Sequence, residues 1–447
     1  MKYWQYIVLS LIISTSSWAN VAAYFNQNQS SSYTDPYRGI SRAGDNLEEV
    51  LLKEIRSAKK TIYIAVQELR LPLLAQALIQ KKKEGVDVRI VLEHDYNFDV
   101  LSQRDPSEGE HEASRLSDLR AFVDYNRNGK IEQNELETRD AIYMLHKAKI
   151  PLIDDTFDGS VGSGLMHHKF MVIDGKSTVV STANFTMSCI HGDLLSPNSR
   201  GNANSLILVN SVNFAKIFTE EFSQLWGNGK RGNFGQRKTY RGSVSTTVRG
   251  SKITVQFSPT SRRYHWEESV NGLIASHLAK ATQSIKAALF VFSDQKIADV
   301  MQKRQEKGAQ IGVIIEPNFA YRDYSELLDL MGIEMLNGKC AVEPGNNPWK
   351  TPAKEVGMAR LPMGDKMHHK FAVVDRKTVI VGSQNWSDAA NFVNDETLIV
   401  IEDPRISDQF TREYNRIKST ALLGPSNNLL YQIRQQEQNC KDHGYYY

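Results

Sequence analysis

Apolar residues recur at helical spacing in some segments and form short strand-like runs in others. The same order of segments occurs twice along the chain. Each series predicts a helix, a strand, a second helix and a second strand. The first series comprises Leu47–Ala58, Thr61–Val66, Leu73–Lys83 and Val86–Leu92, and the second comprises Val270–Ala281, Ser284–Phe292, Gln295–Glu306 and Ala309–Ile315. Alternating strands and helices predict an α/β fold in which a mixed sheet is flanked by helices, built twice in one chain.

A polar motif inside an apolar run also occurs twice, once after each series. The run HHKFMVID at residues 167–174 returns as HHKFAVVD at residues 368–375, which begins 201 residues later (368 minus 167). Each copy continues through a second apolar run to an asparagine, Asn184 or Asn385. A duplication on this scale predicts two half-domains, each of which contributes half of one active site.

The local geometry of each copy brings its polar groups together. On a strand, His167 and Lys169 project from one face and His168 projects from the other. The pair Asp174–Gly175 predicts a tight hairpin, so that the returning strand carries Asn184 towards His167 and Lys169. Two adjacent histidines also suggest zinc ligands, but their opposite faces and the lack of a nearby cysteine disfavour that interpretation.

This arrangement resembles the phospholipase D superfamily, whose HxKxxxxD motif is followed by a small pair such as Gly-Ser and then by an asparagine. Gly382–Ser383 matches that pair, whereas Ser181–Thr182 departs from it, and we expect a slightly different turn with an intact site. The resemblance covers both halves of the chain, in the manner of a bacterial secreted phospholipase D-like protein. It implies two pseudo-symmetric half-domains that form one active site at their interface.

The resemblance also implies a set of catalytic residues and their roles. One motif histidine attacks phosphorus to give a covalent phosphohistidine, and the other protonates the leaving oxygen. The lysines and asparagines bind the non-bridging oxygens, the two aspartates fix the hairpins, and no metal is required at this centre. The set is His167, Lys169, Asp174, Asn184, His368, Lys370, Asp375, Asn385 and Glu396.

Aligning the two halves suggests which histidine takes which role. Glu396 then stands opposite Asn204, and in related enzymes a carboxylate at this position orients the motif histidine. We expect Glu396 to pair with His368, and Asn204 with His167. Because a carboxylate raises the pKa of a histidine and a neutral amide does not, this pairing predicts His167 as the nucleophile and His368 as the general acid.

A twelve-residue loop in the first half resembles an EF-hand calcium loop. It runs from Asp124 to Glu135, with glycine at its sixth position. The expected ligands are Asp124, Asn126, Asn128, the carbonyl oxygen of Lys130 and bidentate Glu135, with Glu132 direct or through water. The alternative is an ordinary Asn-Gly turn between two helices. The resemblance favours calcium in a structural role.

Charge and cysteine content set wider limits. The chain has 54 Lys and Arg against 51 Asp and Glu, a net charge of +3, which gives little support to wrapping of nucleic acid. The basic, glycine-rich stretch 227–250 is expected to be a linker, either solvated or in contact with phosphates or an anionic membrane.

Cys189, Cys340 and Cys440 allow at most one internal disulfide, and the sequence leaves the pair open.

The chain therefore divides into a signal peptide at 1–19, a first half at 20–226, the linker, a second half at 251–435 and a tail at 436–447. The apolar run near the start and Ser17–Trp18–Ala19 predict an exported protein, secreted or periplasmic, and we expect a monomer.

The function expected from the resemblance is hydrolysis of phospholipid headgroup phosphodiesters. The alternatives are an exported endonuclease with the same two histidines, whose linker arginines would track phosphates, and a calcium-stabilised protein that binds phosphorylated surfaces. Synthase-type transphosphatidylation is expected less than hydrolysis. Substrate preference is expected to be set in the loop-rich stretches 258–266 and 340–367, the latter just before the second motif, and in 191–204, which follows the first motif.

Overall fold

The computed structural model describes residues 20–103, 110–160 and 162–442, with the side chains of 110–112 excepted. The expected signal peptide at 1–19 lies outside the described residues. Within the part that is described, no helix is both long enough and apolar enough to cross a membrane.

The first half contains nine strands and seven helices in its described part, with a 3-10 turn at His94–Tyr96. In chain order they are β1 (Val21–Phe25), β2 (Ser32–Thr34), β3 (Ser41–Ala43), α1 (Leu47–Ser57), β4 (Thr61–Val66), α2 (Pro72–Lys83), β5 (Asp87–Leu92), α3 (Glu110–Val123), α4 (Gln133–Arg139), α5 (Ala141–Lys147), β6 (Leu152–Asp154), β7 (Lys169–Ile173), β8 (Ser177–Ser181), α6 (Met187–Ile190), β9 (Ser205–Asn210) and α7 (Val212–Trp226).

The second half repeats the central part of this order, with 3-10 turns at Gly235–Arg237 and Trp266–Glu268. Its elements are β10 (Val244–Val248), β11 (Ser251–Ser258), α8 (Val270–Leu278), β12 (Ser284–Leu289), α9 (Gln295–Glu306), β13 (Gln310–Ile315), α10 (Pro317–Ala320), α11 (Glu326–Leu330), β14 (Glu355–Met358), β15 (Lys370–Val374), β16 (Thr378–Gly382), α12 (Asp388–Phe392), β17 (Glu396–Glu402), α13 (Pro404–Lys418), β18 (Leu422–Leu423) and α14 (Asn427–Asp442).

Two mixed sheets with matching topology form the framework. The first has the strand order β1-β9-β8-β7-β4-β5-β6, and the second has β10-β11-β17-β16-β15-β12-β13-β14-β18. In each sheet the motif strand is central: β7 lies antiparallel to β4 and β8, as β15 does to β12 and β16. The strands β4, β5 and β6 run parallel to one another, so their carboxyl ends meet at one edge.

The two sheets are covered on both faces, and this explains why their central strands are apolar throughout. Helices α1, α2 and α5 pack on the outer face of the first sheet, and α8, α9 and α11 pack on the outer face of the second. One shared core lies between the sheets, where aromatic residues of α7 and α13 contact residues from both. The second sheet packs so closely against α13 that a Cβ on Gly312 would lie 2.2 Å from the hydroxyl of Tyr414.

The expected α/β architecture with two related halves is confirmed, and α9 has the bounds read from the sequence. The first half, expected from residue 20, begins with β1, which pairs with β9 at the edge of the first sheet. Two expectations about the flanking segments are wrong. The end of the expected linker, 227–250, forms β10, which pairs with β11. The start of the expected tail, 436–447, belongs to α14.

The structure also resolves the disulfide that the sequence left open. Cys340 and Cys440 are bonded, with Cα atoms 5.7 Å apart, and Cys189 is buried with a free thiol. The bond joins the loop before β14 to α14.

Candidate active site

Short extended segments cross between the halves immediately before each motif lysine. The backbone NH of His167 donates to the carbonyl of Asp395 in the second half at 2.9 Å, and the NH of His368 donates to the carbonyl of Ala203 in the first half at 3.1 Å. Met166 pairs with Asp395, and Ala203 pairs with Met367, as parallel bridges. These exchanged contacts bring both motifs to one interface, as the duplication predicted.

Each motif histidine is bonded through Nδ1 to a side chain from the opposite half. His167 Nδ1 lies 2.7 Å from Glu396 Oε2, and His368 Nδ1 lies 3.0 Å from Asn204 Oδ1. The expected pairing of Glu396 with His368 and of Asn204 with His167 is therefore wrong. The physical reason is the crossing itself: the segment that begins β17 pairs with the segment before β7, so its side chain reaches the first motif.

The orientation of Asn204 defines the tautomer of His368. The amide nitrogen of Asn204 donates to the carbonyls of Cys189 at 2.9 Å and Asn202 at 3.0 Å, so its oxygen faces the ring. That oxygen also accepts from the hydroxyl of Thr182 at 2.8 Å. His368 must therefore donate from Nδ1, which leaves the lone pair of Nε2 available.

Burial and the two motif lysines lower the pKa of both histidines well below the ordinary value. A neutral His167 carries its proton on Nδ1 towards Glu396, so Nε2 presents a lone pair. Burial also raises the pKa of Glu396 to about 7. This carboxylate is therefore charged above neutral pH and loses its charge as the pH falls below about 7.

The two lysines are fully buried and are oriented in matching ways. Lys169 Nζ donates to the carbonyl of His167, and Lys370 Nζ donates to the carbonyl of His368, each at 2.9 Å. Burial lowers the pKa of Lys169 to about 8 and lowers that of Lys370 well below its ordinary value. The charge of Lys169 also lowers the pKa of Lys370. An anion bound beside these two lysines would offset both their burial and their mutual repulsion.

The two asparagines complete the symmetry and leave part of their hydrogen-bonding capacity open. The Oδ1 atoms of Asn184 and Asn385 are buried and have no hydrogen-bond partner in the described part of the chain. Asn184 Nδ2 lies 3.2 Å from Gln67 Oε1. Buried polar atoms without partners are rare, and these two oxygens need a donor such as water or a substrate hydroxyl, whereas the amide nitrogens are the groups that can donate to a phosphate oxygen.

The small pairs Ser181–Thr182 and Gly382–Ser383, at the ends of β8 and β16, make equivalent hydrogen bonds in the two halves. Thr182 bonds the side chain of Asn204, and Ser383 bonds the side chain of Glu396. The departure at Ser181–Thr182 thus leaves these contacts equivalent in the two halves. A Cβ on Gly382 would lie 2.0 Å from the carbonyl oxygen of Thr397, which explains the glycine there.

The motif aspartates lie at the far ends of the hairpins and bind backbone, as the expected structural role requires. Asp174 has φ of 53° at the start of the turn, and its carboxylate accepts three NH groups at the start of β4. Asp375 does the same at the start of β12. The donors are Lys59, Lys60 and Thr61 for Asp174, and Thr282, Gln283 and Ser284 for Asp375. Neither carboxylate contacts the motif histidines.

The second histidine of each motif faces away from the site. His168 contacts Thr397 Oγ1 at 2.8 Å and Glu221 at 3.3 Å, and His369 contacts Glu413 at 2.9 Å. Both rings are fully buried beneath the site. The two adjacent histidines of a motif therefore do not converge on a shared ligand.

The basic stretch before β10 is tied to buried carboxylates. Lys238 Nζ lies 2.6 Å from Glu221 and 2.7 Å from Asp395, and Arg241 also bonds Glu221. Burial lowers the pKa of Lys238, but the two carboxylates outweigh it and raise the value. Because Asp395 pairs with the His167 segment, this stretch supports the motif strand. The expectation of a phosphate-tracking groove in the linker is not supported at these residues.

Sequence reasoning missed two further pairs of residues at matching positions. Glu93 follows β5 and accepts the NH of Met166, while Glu316 follows β13 and accepts the NH of Met367. Burial raises the pKa of Glu93 to about 8. The repeat after each second strand, Leu92–Glu93 against Ile315–Glu316, was a signal that could have found this pair.

The other missed pair makes the site asymmetric. Gln67 lies next to Lys169 and bonds its ammonium group at 3.3 Å. The equivalent residue in the second half is Phe290, whose ring centre lies 4.6 Å from Lys370 Nζ and 4.8 Å from the ring of His368. The His167 side is therefore polar and the His368 side is aromatic.

The expected calcium loop adopts a helix–loop–helix arrangement between α3 and α4. Asp124 accepts the NH groups of Asn128 and Gly129, and Glu135 accepts those of Asn126 and Glu132. Gly129 has a φ of 80°, which favours glycine at this sixth position. These inward-turned oxygens fit a hard cation. No group of three or more His, Cys, Asp or Glu in the described chain could hold a metal, so calcium would need the amide and carbonyl oxygens as well.

The fold and site thus define a class of protein in which two α/β halves share one centre of two histidines and two lysines. Comparison with known proteins supports the same conclusion. Residues 51–226 and 274–418 match the family model described as cardiolipin synthase, PLD-like domain. The chain belongs to this phospholipase D-like family.

Individual relatives match part of the chain. The mitochondrial cardiolipin hydrolase of Mus musculus is 29% identical over 155 residues, which are 34% of this chain and 59% of the relative. The phospholipase D of Rickettsia bellii is 26% identical over 164 residues, 37% of this chain and 68% of the relative. The chain thus matches little more than half the length of the cardiolipin hydrolase.

One solved structure is similar over both halves. The phosphatidylserine synthase of Haemophilus influenzae aligns over 94% of this chain and 94% of its own, with a TM-score of 0.57 and 11% identity. At that identity the likeness shows the fold alone.

Proposed function

We propose that this protein is a phosphodiesterase of phospholipase D type, which hydrolyses phospholipid headgroup phosphodiester bonds through a covalent phosphohistidine. The observation that carries the proposal is the pair of crossed segments that bring His167 and His368 to one buried centre with two lysines. A phosphodiester anion placed there would accept hydrogen bonds from Lys169 and Lys370.

The bound phosphodiester anion offsets the lysine charges that lower the pKa of His368, so this histidine takes up a proton from solvent when the substrate binds. In the first step, Nε2 of His167 attacks phosphorus, the bond from phosphorus to the leaving oxygen breaks, and protonated His368 gives that oxygen a proton. In the second step, His368 removes a proton from water, the water oxygen attacks phosphorus, and His167 is released. The lysines and asparagines stabilise the added negative charge on the non-bridging oxygens in both transition states.

We still propose His167 as the nucleophile, but the reason is now its contact with Glu396 and no longer the expected pairing with Asn204. When Nε2 forms a bond to phosphorus, the ring becomes a cation, and the carboxylate of Glu396 at 2.7 Å offsets that charge for the lifetime of the intermediate. The neutral amide of Asn204 holds the Nδ1 proton of His368 without a charge, so protonated His368 gives up its Nε2 proton more readily.

The central test is turnover of phosphatidylcholine vesicles and of plasmid DNA side by side, with His167→Ala as the control on each substrate. Headgroup release without nicking supports the proposal. Nicking without headgroup release would establish the endonuclease alternative, and no turnover of any phosphodiester would favour the phosphate-binding alternative.

A second experiment tests the roles of the histidines. Acid quenching during turnover of a phosphate-labelled p-nitrophenyl diester, whose leaving group departs without a general acid, should trap label on His167 in the wild-type chain and in His368→Ala, where the second step is slowed. Label on His368 would exchange the two roles.

The remaining expectations stand as proposals with the enzyme. We propose that the loop from Asp124 to Glu135 binds calcium structurally, that the chain is exported, and that it acts as a monomer. Calcium supplies charge compensation for the loop oxygens and takes no part in the two-histidine chemistry.

A further inference from the structure

The loops around the candidate site carry large apolar side chains that are exposed to solvent. Phe98 and Phe157 belong to the first half, Leu195 lies in the loop before β9, and Met363 lies in the loop before β15. Their exposed fractions are 39%, 55%, 61% and 82%. We define these four residues as the apolar rim.

The first two members lie at the edge of the sheet where the motif begins. The strands β5 and β6 end at the edge where β7 starts, and Glu93, directly after β5, accepts the NH of Met166 beside His167. Phe98 and Phe157 follow within a few residues of these strand ends. Asp154 joins their loops, since its carboxylate accepts from Asn97 at 2.7 Å and its carbonyl accepts from the NH of Phe157 at 3.2 Å.

The other two members lie on loops that are tied together on the opposite side of the site. Asp365 accepts from the hydroxyl of Ser199 and from the NH groups of Arg200 and Gly201. The first of these loops continues into the segment that pairs with Met367, and the second continues into His368. Leu195 and Met363 therefore flank the centre from both halves of the chain.

The charged groups on the loops that carry Leu195 and Met363 favour an anionic partner. The carboxylate of Asp365 turns inward to backbone donors, and burial raises the pKa of Asp193 to about 7, which reduces its negative charge near neutral pH. The side chains of Arg200 and Arg360, by contrast, are exposed. The outward charge of these loops is thus positive, next to exposed apolar groups.

We propose that the apolar rim inserts into the surface of a bilayer that contains anionic phospholipids, and that this contact presents headgroup phosphates to the two histidines. Apolar side chains next to cations are the combination that binds such an interface. The proposal rests on the proposed function for the identity of the partner, but it concerns binding and is measured separately from turnover.

The experiment measures sedimentation of the protein with phosphatidylglycerol-containing and pure phosphatidylcholine vesicles, together with hydrolysis of the soluble diester bis(p-nitrophenyl) phosphate. The test variant is Leu195→Ser with Met363→Ser. The matched control is Val212→Ser, which is 61% exposed but follows β9 at the opposite edge, where Ser211 bonds the β7–β8 hairpin.

We expect the double variant to bind vesicles at least about tenfold more weakly, since two large apolar side chains no longer enter the interface. We expect the Val212→Ser control to bind like the wild type, and soluble-diester hydrolysis to be unchanged in both. Arg200→Glu should weaken binding to the anionic vesicles more than Arg249→Glu, which lies in the distant β10–β11 turn.

Equal vesicle binding by the double variant and the wild type would overturn the proposal. Absence of both phosphatidylcholine hydrolysis and soluble-diester hydrolysis in the wild type would refute the proposed function, and the vesicle-binding comparison would still decide whether the apolar rim contacts a membrane.

Discussion

Replacing Glu396 with glutamine tests the link between the crossed pairing and catalysis. Glutamine keeps the size of the side chain and can still accept the Nδ1 proton of His167, so the change removes the charge alone. Glu396 is fully buried and its Oε2 lies 2.7 Å from that nitrogen. The variant should fold, and its defect should appear in the step that creates charge on the ring.

The magnitude follows from the charge that develops on the imidazole. Two unit charges about 4 Å apart interact by about 4 kcal/mol at an effective dielectric constant of about 20. If about half of the charge has formed in the transition state, the loss is about 2 kcal/mol, and with complete transfer it is about 4 kcal/mol. Since about 1.4 kcal/mol corresponds to tenfold in rate, kcat should fall by about 30- to 1,000-fold.

The pH dependence gives a second, independent signature. Burial raises the pKa of Glu396 to about 7, so in the wild type the carboxylate is charged above this pH and becomes neutral below it. The rate ratio between wild type and Glu396→Gln should therefore be largest near pH 8 and should shrink as the pH falls below about 7. The assay is a pH–rate profile with vesicles and with bis(p-nitrophenyl) phosphate.

A matched control separates charge at the motif histidine from loss of a buried carboxylate in general. Glu413 is buried and bonds His369, which faces away from the site. Glu413→Gln should keep kcat within a few-fold of the wild type. If Glu396→Gln retained the wild-type rate near pH 8, or if both variants lost activity equally, the reasoning about the crossed pair would be refuted.

Three further predictions concern stability. Burial raises the pKa of Glu326 to about 10, so the folded protein holds a proton that the unfolded chain releases, and the free energy of unfolding should fall by about 1.4 kcal/mol per pH unit between pH 6 and 9. Glu326→Gln should remove that slope in urea titrations, the exposed control Glu306→Gln should keep it, and parallel slopes would contradict the prediction. Replacing Cys340 and Cys440 with alanine removes a cross-link that spans 100 residues and should lower the free energy of unfolding by about 2–4 kcal/mol. If reductant left the free energy of unfolding of the wild type unchanged, the prediction would be contradicted. Calcium should raise the melting temperature and Asp124→Ala should abolish the rise, so an equal rise in both proteins would exclude this loop as the site.

The repeated pattern of the sequence was sufficient to predict much of the fold. Helical and strand periodicities gave the α1–β4–α2–β5 order and its repeat, because these elements bury apolar faces whose spacing is local. The hairpins followed from Asp174 and Asp375, whose positions in a tight turn depend on neighbouring residues. The edge strands β1 and β10 were not predicted, because backbone hydrogen bonds to β9 and β11, and not a local alternation of apolar and polar residues, hold them in extended form.

The sequence by itself determined which residues the proposed chemistry uses: two histidines, two lysines and two asparagines in matching copies. Only the tertiary structure decided how they pair. Alignment within one chain places Glu396 beside the motif of its own half, but the segments before β7 and β15 cross between the sheets and give each histidine a partner from the other half. Local spacing cannot encode that exchange, because it depends on backbone bonds between segments distant in the chain, such as the bond from the NH of His368 to the carbonyl of Ala203. That bond places the side chain of Asn204 beside His368, 164 residues away.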